Sequence, residues 1–274
     1  MVMKMKLQSC RICGSEKLKD YLDLGKMPPA DTFITDAKND MQTFFPLEVC
    51  ICEDCGMSQL NYTVPPEILY QNDYPYESSM TETGRNHFES MAYEIVDKYK
   101  IKQESLVIDI GSNVGVLLQG FKNKKCKVLG IEPASNIAEK ANKYGIETIN
   151  NFISSNLAKQ ISESYGQADA ICITNVFAHI HDLDDLMVSI DEMLSPDGVF
   201  VIEAPHFLSL VKYLEYDTIY HEHLMYITIK PLEKIFSRYG FEVSDLKNFA
   251  IHGGSLRIFV TRKGVQEISN SVGA

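Results

Sequence analysis

No apolar run in this chain approaches the ~20 residues that a membrane-spanning helix requires. The basic start, Met1 to Lys6, has no apolar stretch behind it, so neither an anchor nor a secretory leader is expected. The expected location is cytoplasmic. A surplus of cations is also missing, since 26 Lys and Arg stand against 37 Asp and Glu for a formal net charge of -11. Without a Lys/Arg-rich stripe such a chain repels a phosphate backbone, which argues against a nucleic-acid partner. An anionic small substrate would need a local cationic patch. Internal repeats and low-complexity segments are absent. Seven cysteines are too few and too unevenly placed for a disulfide scaffold, and five of them fall between Cys10 and Cys55. That clustering points to a metal.

What is present suits one large α/β domain with a small appendage, because 274 residues with 45% hydrophobic content supply an ample core. Residues 1–76 read as a turn-rich, irregular module with prolines throughout, and residues 77–274 as the large domain. The large domain opens with a bridging helix between Thr81 and Lys100, where Phe88, Met91, Ala92, Ile95, Val96 and Tyr99 recur at helical spacing. From Ser105 short apolar runs alternate with amphipathic segments. Strands are predicted at Leu106–Ile110, Lys127–Ile131, Glu147–Ile149, Asp169–Thr174 and Val199–Glu203, with helices between them. The fold class is therefore α/β, a doubly wound parallel sheet. A loop is predicted from Pro205 to about Thr228. A helix at Leu232–Tyr239 and two strands, Glu242–Leu246 and Leu256–Thr261, close the sheet in antiparallel fashion.

Cys10-Arg11-Ile12-Cys13-Gly14 and Cys52-Glu53-Asp54-Cys55-Gly56 are two CxxCG knuckles. Each presents two thiolates from one tight turn, and two knuckles complete the tetrahedron that structural zinc prefers. Cys10, Cys13, Cys52 and Cys55 are the predicted ligands. A redox site needs one such pair, and a four-thiolate shell leaves no open position for chemistry. Cys50, Cys126 and Cys172 read as ordinary packed thiols.

Asp109-Ile110-Gly111-Ser112-Asn113-Val114-Gly115 ends the first strand of the α/β unit and opens a helix. Gly111 and Gly115 permit a sharp turn and close approach to a ligand, and Glu132 at the end of the second strand can accept both hydrogen bonds of a ribose diol. A solvated strand end is the bland alternative for Glu132. The dinucleotide fingerprint needs a third glycine beside the pyrophosphate, which this loop lacks, so S-adenosylmethionine is favoured over NAD. Asn150, Asn151 and Phe152 follow the third strand, where they meet an adenine ring or form a polar turn with one core aromatic.

Tyr216 to His223 concentrates titratable side chains beyond the fifth strand, and His179 follows the fourth. Open α/β sheets bind ligands there. Tyr220 and His223 suit acid and base roles, and Glu222 could orient a histidine or bind a sugar hydroxyl. Adjacent residues diverge, so His221-Glu222-His223 makes a poor catalytic metal site. His206 and His252 read as structural.

Taken together, Cys10-x-x-Cys13-Gly14 with Leu22-Asp23-Leu24-Gly25, Cys52-x-x-Cys55, Tyr74-Pro75-Tyr76-x-Ser78-Ser79, Asp109-Ile110-Gly111-Ser112-Asn113, Asn175-x-x-x-His179-Ile180, Tyr220-x-Glu222-His223 and His252-Gly253-Gly254 span nearly the whole chain. The sequence resembles the sugar nucleotide C-methyltransferases of deoxysugar biosynthesis, which methylate carbon 3 of a 4-keto-6-deoxy sugar. The resemblance implies a class I, Rossmann-like methyltransferase domain over 77–274 and a nucleotide-linked sugar as substrate. It implies that Tyr76, His179, Tyr220, Glu222 and His223 line the sugar site, with His223 the base and Tyr220 its partner or an alternative to it, and that Asp109, Asn113 and Asn175 join the cofactor site. Members carry a further C-terminal domain that this chain, ending at Ala274, is expected to lack, and Val114 stands where an acidic residue is common. A monomer or weak homo-oligomer is expected. Two competing readings are O- or N-methylation of another small molecule, and non-catalytic binding of S-adenosylmethionine or a sugar nucleotide.

Overall fold

The computed structural model describes residues 6–31, 33, 42–70 and 74–273. Its strands are β1 (Leu18–Met27), β2 (Phe45–Cys52), β3 (Ser58–Leu60), β4 (Leu106–Ile110), β5 (Lys127–Ile131), β6 (Thr148–Ile149), β7 (Ala168–Thr174), β8 (Leu194–Pro205), β9 (Met225–Tyr226), β10 (Phe241–Phe249) and β11 (Ser255–Arg262). The helices are α1 (Pro66–Tyr70), α2 (Glu82–Tyr99), α3 (Val116–Asn123), α4 (Ser135–Lys143), α5 (Ser155–Tyr165), α6 (Leu183–Met193), α7 (Phe207–Tyr213) and α8 (Ile229–Arg238). No helix among the described residues is long and apolar enough to cross a membrane.

All five residues of β4 are buried, as befits a strand covered on both faces in a parallel sheet. It pairs in parallel with β5 on one side and β7 on the other. The seven strands run in the order β10-β11-β8-β7-β4-β5-β6, with β10 and β11 antiparallel as the sequence predicts. From β4 the chain winds outward through β5 and β6, then returns to β7 on the opposite side. This reversal opens a crevice at the carboxyl ends of β4 and β7, where doubly wound sheets bind ligands.

α2 begins at Thr81, whose side chain accepts from Gly84 N, and ends at Lys100 in the left-handed region at φ 54. It buries Phe88, Met91, Ala92 and Ile95, one helical stripe, against the sheet.

Two segments differ from the sequence reading. The cysteine-bearing module is not irregular. β1, β2, β3 and β9 form a four-stranded antiparallel sheet in that order. Its β2 buries Phe45, Leu47, Val49, Cys50 and Cys52, but Pro46 within it masks the pattern, and three- and two-residue partner strands leave no period to read. The stretch from Pro205 to Thr228 is likewise no plain loop, since it holds α7 and β9, and β9 completes the module's sheet. One apolar core runs from Ile12, Val49, Met57 and Leu60 into Ile108, Ile173, Phe200 and Leu224.

Candidate active site and zinc centre

In the module the four predicted thiols converge. Their sulfur atoms all lie within 4.8 Å of one another, with Cys10 to Cys55 at 3.5 Å and Cys13 to Cys52 at 3.6 Å. A tetrahedron with Zn–S bonds of ~2.3 Å has edges of about 3.8 Å, so the donor set fits zinc. Each turn closes through a glycine, Gly14 N to Cys10 O at 2.9 Å and Gly56 N to Cys52 O at 2.8 Å, with φ of 72° and 79°. Only backbone conformation demands glycine here, since an added Cβ would meet nothing within 4 Å. Cys50 stays outside the set, and burial pushes its thiol up to about 11.

A cavity of about 430 Å³ occupies the crevice. Asp109, Gly111, Asn113, Glu132, Asn151, Phe152 and Asn175 line it, as do Tyr76 and His179; Gly115 does not. Gly115 starts α3 at φ 82°, and a Cβ there would come within 2.9 Å of Ile146. Its glycine serves packing rather than ligand approach. Gly111, at φ 70°, faces Val176 at 2.6 Å from a notional Cβ, so even this cavity residue is glycine because of its protein neighbour. Asn150 also departs from the adenine role: its side-chain amide donates to the carbonyls of Glu132 and Pro133, both at 2.9 Å, and braces the turn after β5.

Glu132 is buried and receives Asn113 N and Ala134 N, each at 2.9 Å, on separate carboxylate oxygens. Burial raises it while these amides hold it down. The remaining lone pairs stay free for a diol. Asn113 is a clamp: its Oδ1 accepts from Ser78 N and Val114 N at 2.9 Å, and its Nδ2 donates to Tyr76 O at 3.1 Å. The Tyr74-Pro75-Tyr76 segment is thereby fixed across the glycine loop, helped by Asn136 Nδ2 to Tyr74 O at 3.0 Å and Lys140 to Glu77 at 2.5 Å.

Asp109 Oδ1, Ser112 Oγ and Asn175 Oδ1 are buried beside this cavity without a partner among the described residues. Each such atom costs ~1–3 kcal/mol unless something satisfies it. The ammonium and hydroxyl groups of S-adenosylmethionine are donors that match these acceptors, so the residues present fit the cofactor.

Tyr220, Glu222 and His223 lie behind the cavity wall. The wall is formed by Tyr70, Tyr74, Tyr76 and His179. His223 instead borders a separate cleft of about 20 Å³ with His206 and Thr218. Its ring sits 5.2 Å from that of His179, which stacks on Tyr70 at 5.8 Å and 7°. His223 Nδ1 meets Thr218 O at 2.8 Å, and a carbonyl accepts only an N–H, so Nδ1 carries the proton. Nε2 is left with a lone pair, to which the Tyr220 hydroxyl donates at 2.9 Å. Burial pulls His223 down to about 4 and raises the Tyr220 phenol, so both are neutral at neutral pH. Burial, then the charge of Asp31 and a hydrogen bond with it, pushes Glu222 up to about 8. Tyr74 donates to Glu222 Oε2 at 3.4 Å. His221, between them, points the other way and meets Phe45 O on β2 at 3.3 Å.

Sequence reasoning passed over three members of this cluster. Tyr74 stood in a quoted motif without a role, whereas Tyr70 and Asp31 belong to the module and carried no signal of proximity to the Tyr220 loop.

Residues 86–246 match the methyltransferase domain family, and residues 10–70 match a zinc binding domain family. The chain belongs to the methyltransferase domain family. The C-methyltransferase NovU of Streptomyces niveus is 31% identical over 254 residues, 92% of this chain and 60% of the relative, so the chain spans less than two thirds of that protein. Among solved structures, the magnesium protoporphyrin IX methyltransferase of Synechocystis PCC 6803 with bound SAH shares the fold at TM-score 0.51 and 12% identity, over 69% of this chain and 90% of that one. An S-adenosylmethionine-dependent methyltransferase from Clostridium acetobutylicum does so at TM-score 0.52 and 15% identity, over 66% and 92%. The methyltransferase therefore pairs an S-adenosylmethionine fold, with its cavity at the switch point, with a four-cysteine zinc site.

Proposed function

We propose that this methyltransferase transfers a methyl group to a carbon next to the ketone of a nucleotide-linked keto deoxysugar. The observation that carries the reading is the Tyr220–His223 pair, a base with its tautomer fixed, placed one ring behind the cofactor cavity. The printed activity of the Streptomyces relative, C-methylation, supports it.

A hydrogen beside a ketone is acidic enough for such a pair when the developing enolate oxygen meets donors. The Tyr220 oxygen takes the proton from carbon as its own proton passes to His223 Nε2, and the Thr218 carbonyl steadies the imidazolium through Nδ1–H. His179, whose Nε2 has no partner among the described residues, supplies a donor for the oxygen, while Tyr74 donates to the neutral Glu222. When bound, S-adenosylmethionine supplies an electrophilic methyl group to the carbon so deprotonated. Asp109, Asn175 and Glu132 would hold the cofactor's polar groups, and Phe152 with Asn151 its adenine.

Incubation with S-adenosylmethionine and a panel of nucleotide-linked 4-keto-6-deoxy sugars tests this by mass spectrometry. Gain of one methyl group on a keto sugar is expected. Methylation confined to alcohols or amines, or no gain on any keto sugar by the full-length protein, refutes it.

A further inference from the structure

The zinc knuckles and the Tyr220–His223 loop are remote in sequence, yet they share a sheet. β3 begins just after the second knuckle, and Cys52 N donates to Met57 O at 2.9 Å. The free edge of β3 takes β9, which starts two residues past His223, with Ser58 opposite Tyr226 and Gln59 opposite Met225. Leu60 N then donates to Leu224 O at 3.0 Å, and Leu224 N to Ala178 O, beside His179, at 2.9 Å. The backbone leaving the loop is thus gripped between the zinc module and the residue before a cavity histidine. A two-residue strand cannot hold its own register; β3 sets it.

Arg11 links β3 to the knuckle. It stands between the ligands Cys10 and Cys13, and its guanidinium donates to Leu60 O at 2.6 Å, Thr63 Oγ1 at 2.7 Å and Gln59 Oε1 at 3.3 Å. Its backbone N–H reaches the same Gln59 oxygen at 3.2 Å. Thr63 lines the cofactor cavity. Among the described residues no carboxylate pairs with this cation, whose partners are a carbonyl, a hydroxyl and an amide oxygen. Zinc held by four thiolates bears a net negative charge, which is the counter-charge such a guanidinium requires.

We propose that the zinc knuckle is a positioning element for the Tyr220–His223 loop, with Arg11 as the tether that transmits it through β3 and β9. This rests on the reading of that loop as catalytic. Metal binding orders the knuckle, Arg11 fixes β3 against it, and β3 fixes the strand that follows His223.

Hydrogen exchange followed by mass spectrometry tests this on the full chain without any methyl acceptor, so its outcome is independent of whether keto sugars are substrates. In Arg11→Met, zinc content is expected to persist and S-adenosylmethionine affinity to stay within about threefold of wild type. Amides at 58–60 and 220–226 should exchange at least about tenfold faster while those of β4 and β5 do not change. Arg11→Lys, which keeps charge and donors, should restore most of the protection. Chelating zinc from the wild type should loosen the same two segments. An unaltered loop in Arg11→Met, or equal acceleration through β4 and β5, overturns the proposal. If Arg11→Met does not accumulate folded, Gln59→Met read in the same segments decides by the same criteria.

Discussion

His223 is read as a base because of where its two nitrogens are, more than because it is a histidine. With Nδ1–H committed to Thr218 O, only Nε2 can take a proton, and Tyr220 already occupies it. His223→Ala should cut turnover by about 10²–10⁴-fold, with cofactor affinity intact by calorimetry. Wild-type-like turnover in that variant would refute the assigned base. The two perturbed groups also set a pH window. His223 falls from an unfolded value of ~6.5 to about 4, so the unfolded chain binds the extra proton between those values. Its contribution to stability is complete above the upper value and lost as pH drops toward the lower. Glu222 runs the opposite way. Its value rises from 4.5 to about 8, so its contribution is complete below 4.5 and lost as pH climbs through about 8. Denaturation midpoints should therefore fall toward pH 8.5 in the wild type and fall less in Glu222→Gln, which mimics the neutral carboxyl. Identical pH profiles for the two proteins would contradict a protonated Glu222. These residues were visible in the sequence as a dense titratable loop. Their partners were not, because Tyr70, Tyr74 and Asp31 reach them only through folding of the module.

At the scale of elements, the periodic pieces were legible. β4, β5 and α2 match the sequence prediction to within a residue at each end, since short apolar runs and a helical stripe leave plain patterns. Thr81→Ala should cost about 1 kcal/mol in denaturant titration by removing the α2 cap, and an unchanged midpoint would show the cap to be idle. The glycines carried a subtler message. Gly115 was legible as obligatory, but the reason, a left-handed φ and the side chain of Ile146, lies across the fold. Gly115→Ala should destabilise by about 1–3 kcal/mol and leave cofactor affinity near wild type in the protein that remains folded. A selective loss of cofactor affinity at unchanged stability would return Gly115 to the ligand site. The short strands β3 and β9 were illegible for lack of period, and with them the four-stranded sheet.

For the molecule as a whole, the division seen in the sequence, metal first and nucleotide fold second, conceals how the parts are joined. The apolar core passes from the module into the parallel sheet, and β9 returns from the large domain to close the small sheet. Composition and spacing could place zinc and cofactor because each is made by residues close in sequence. The proposed acceptor site draws on α1, the Tyr74 segment, His179 after β7 and the Tyr220 loop, so only the folded chain displays it. In the proposed reaction this assembly directs a methyl group to carbon. The most direct measurement uses S-adenosylmethionine with an isotopically labelled methyl group and nucleotide-linked 4-keto-6-deoxy sugars, with the product read by carbon NMR. A labelled methyl coupled directly to a ring carbon beside the ketone is expected, formed at least about 10²-fold more slowly with His223→Ala. A labelled methyl on oxygen or nitrogen, or on carbon at undiminished rate in that variant, would contradict it.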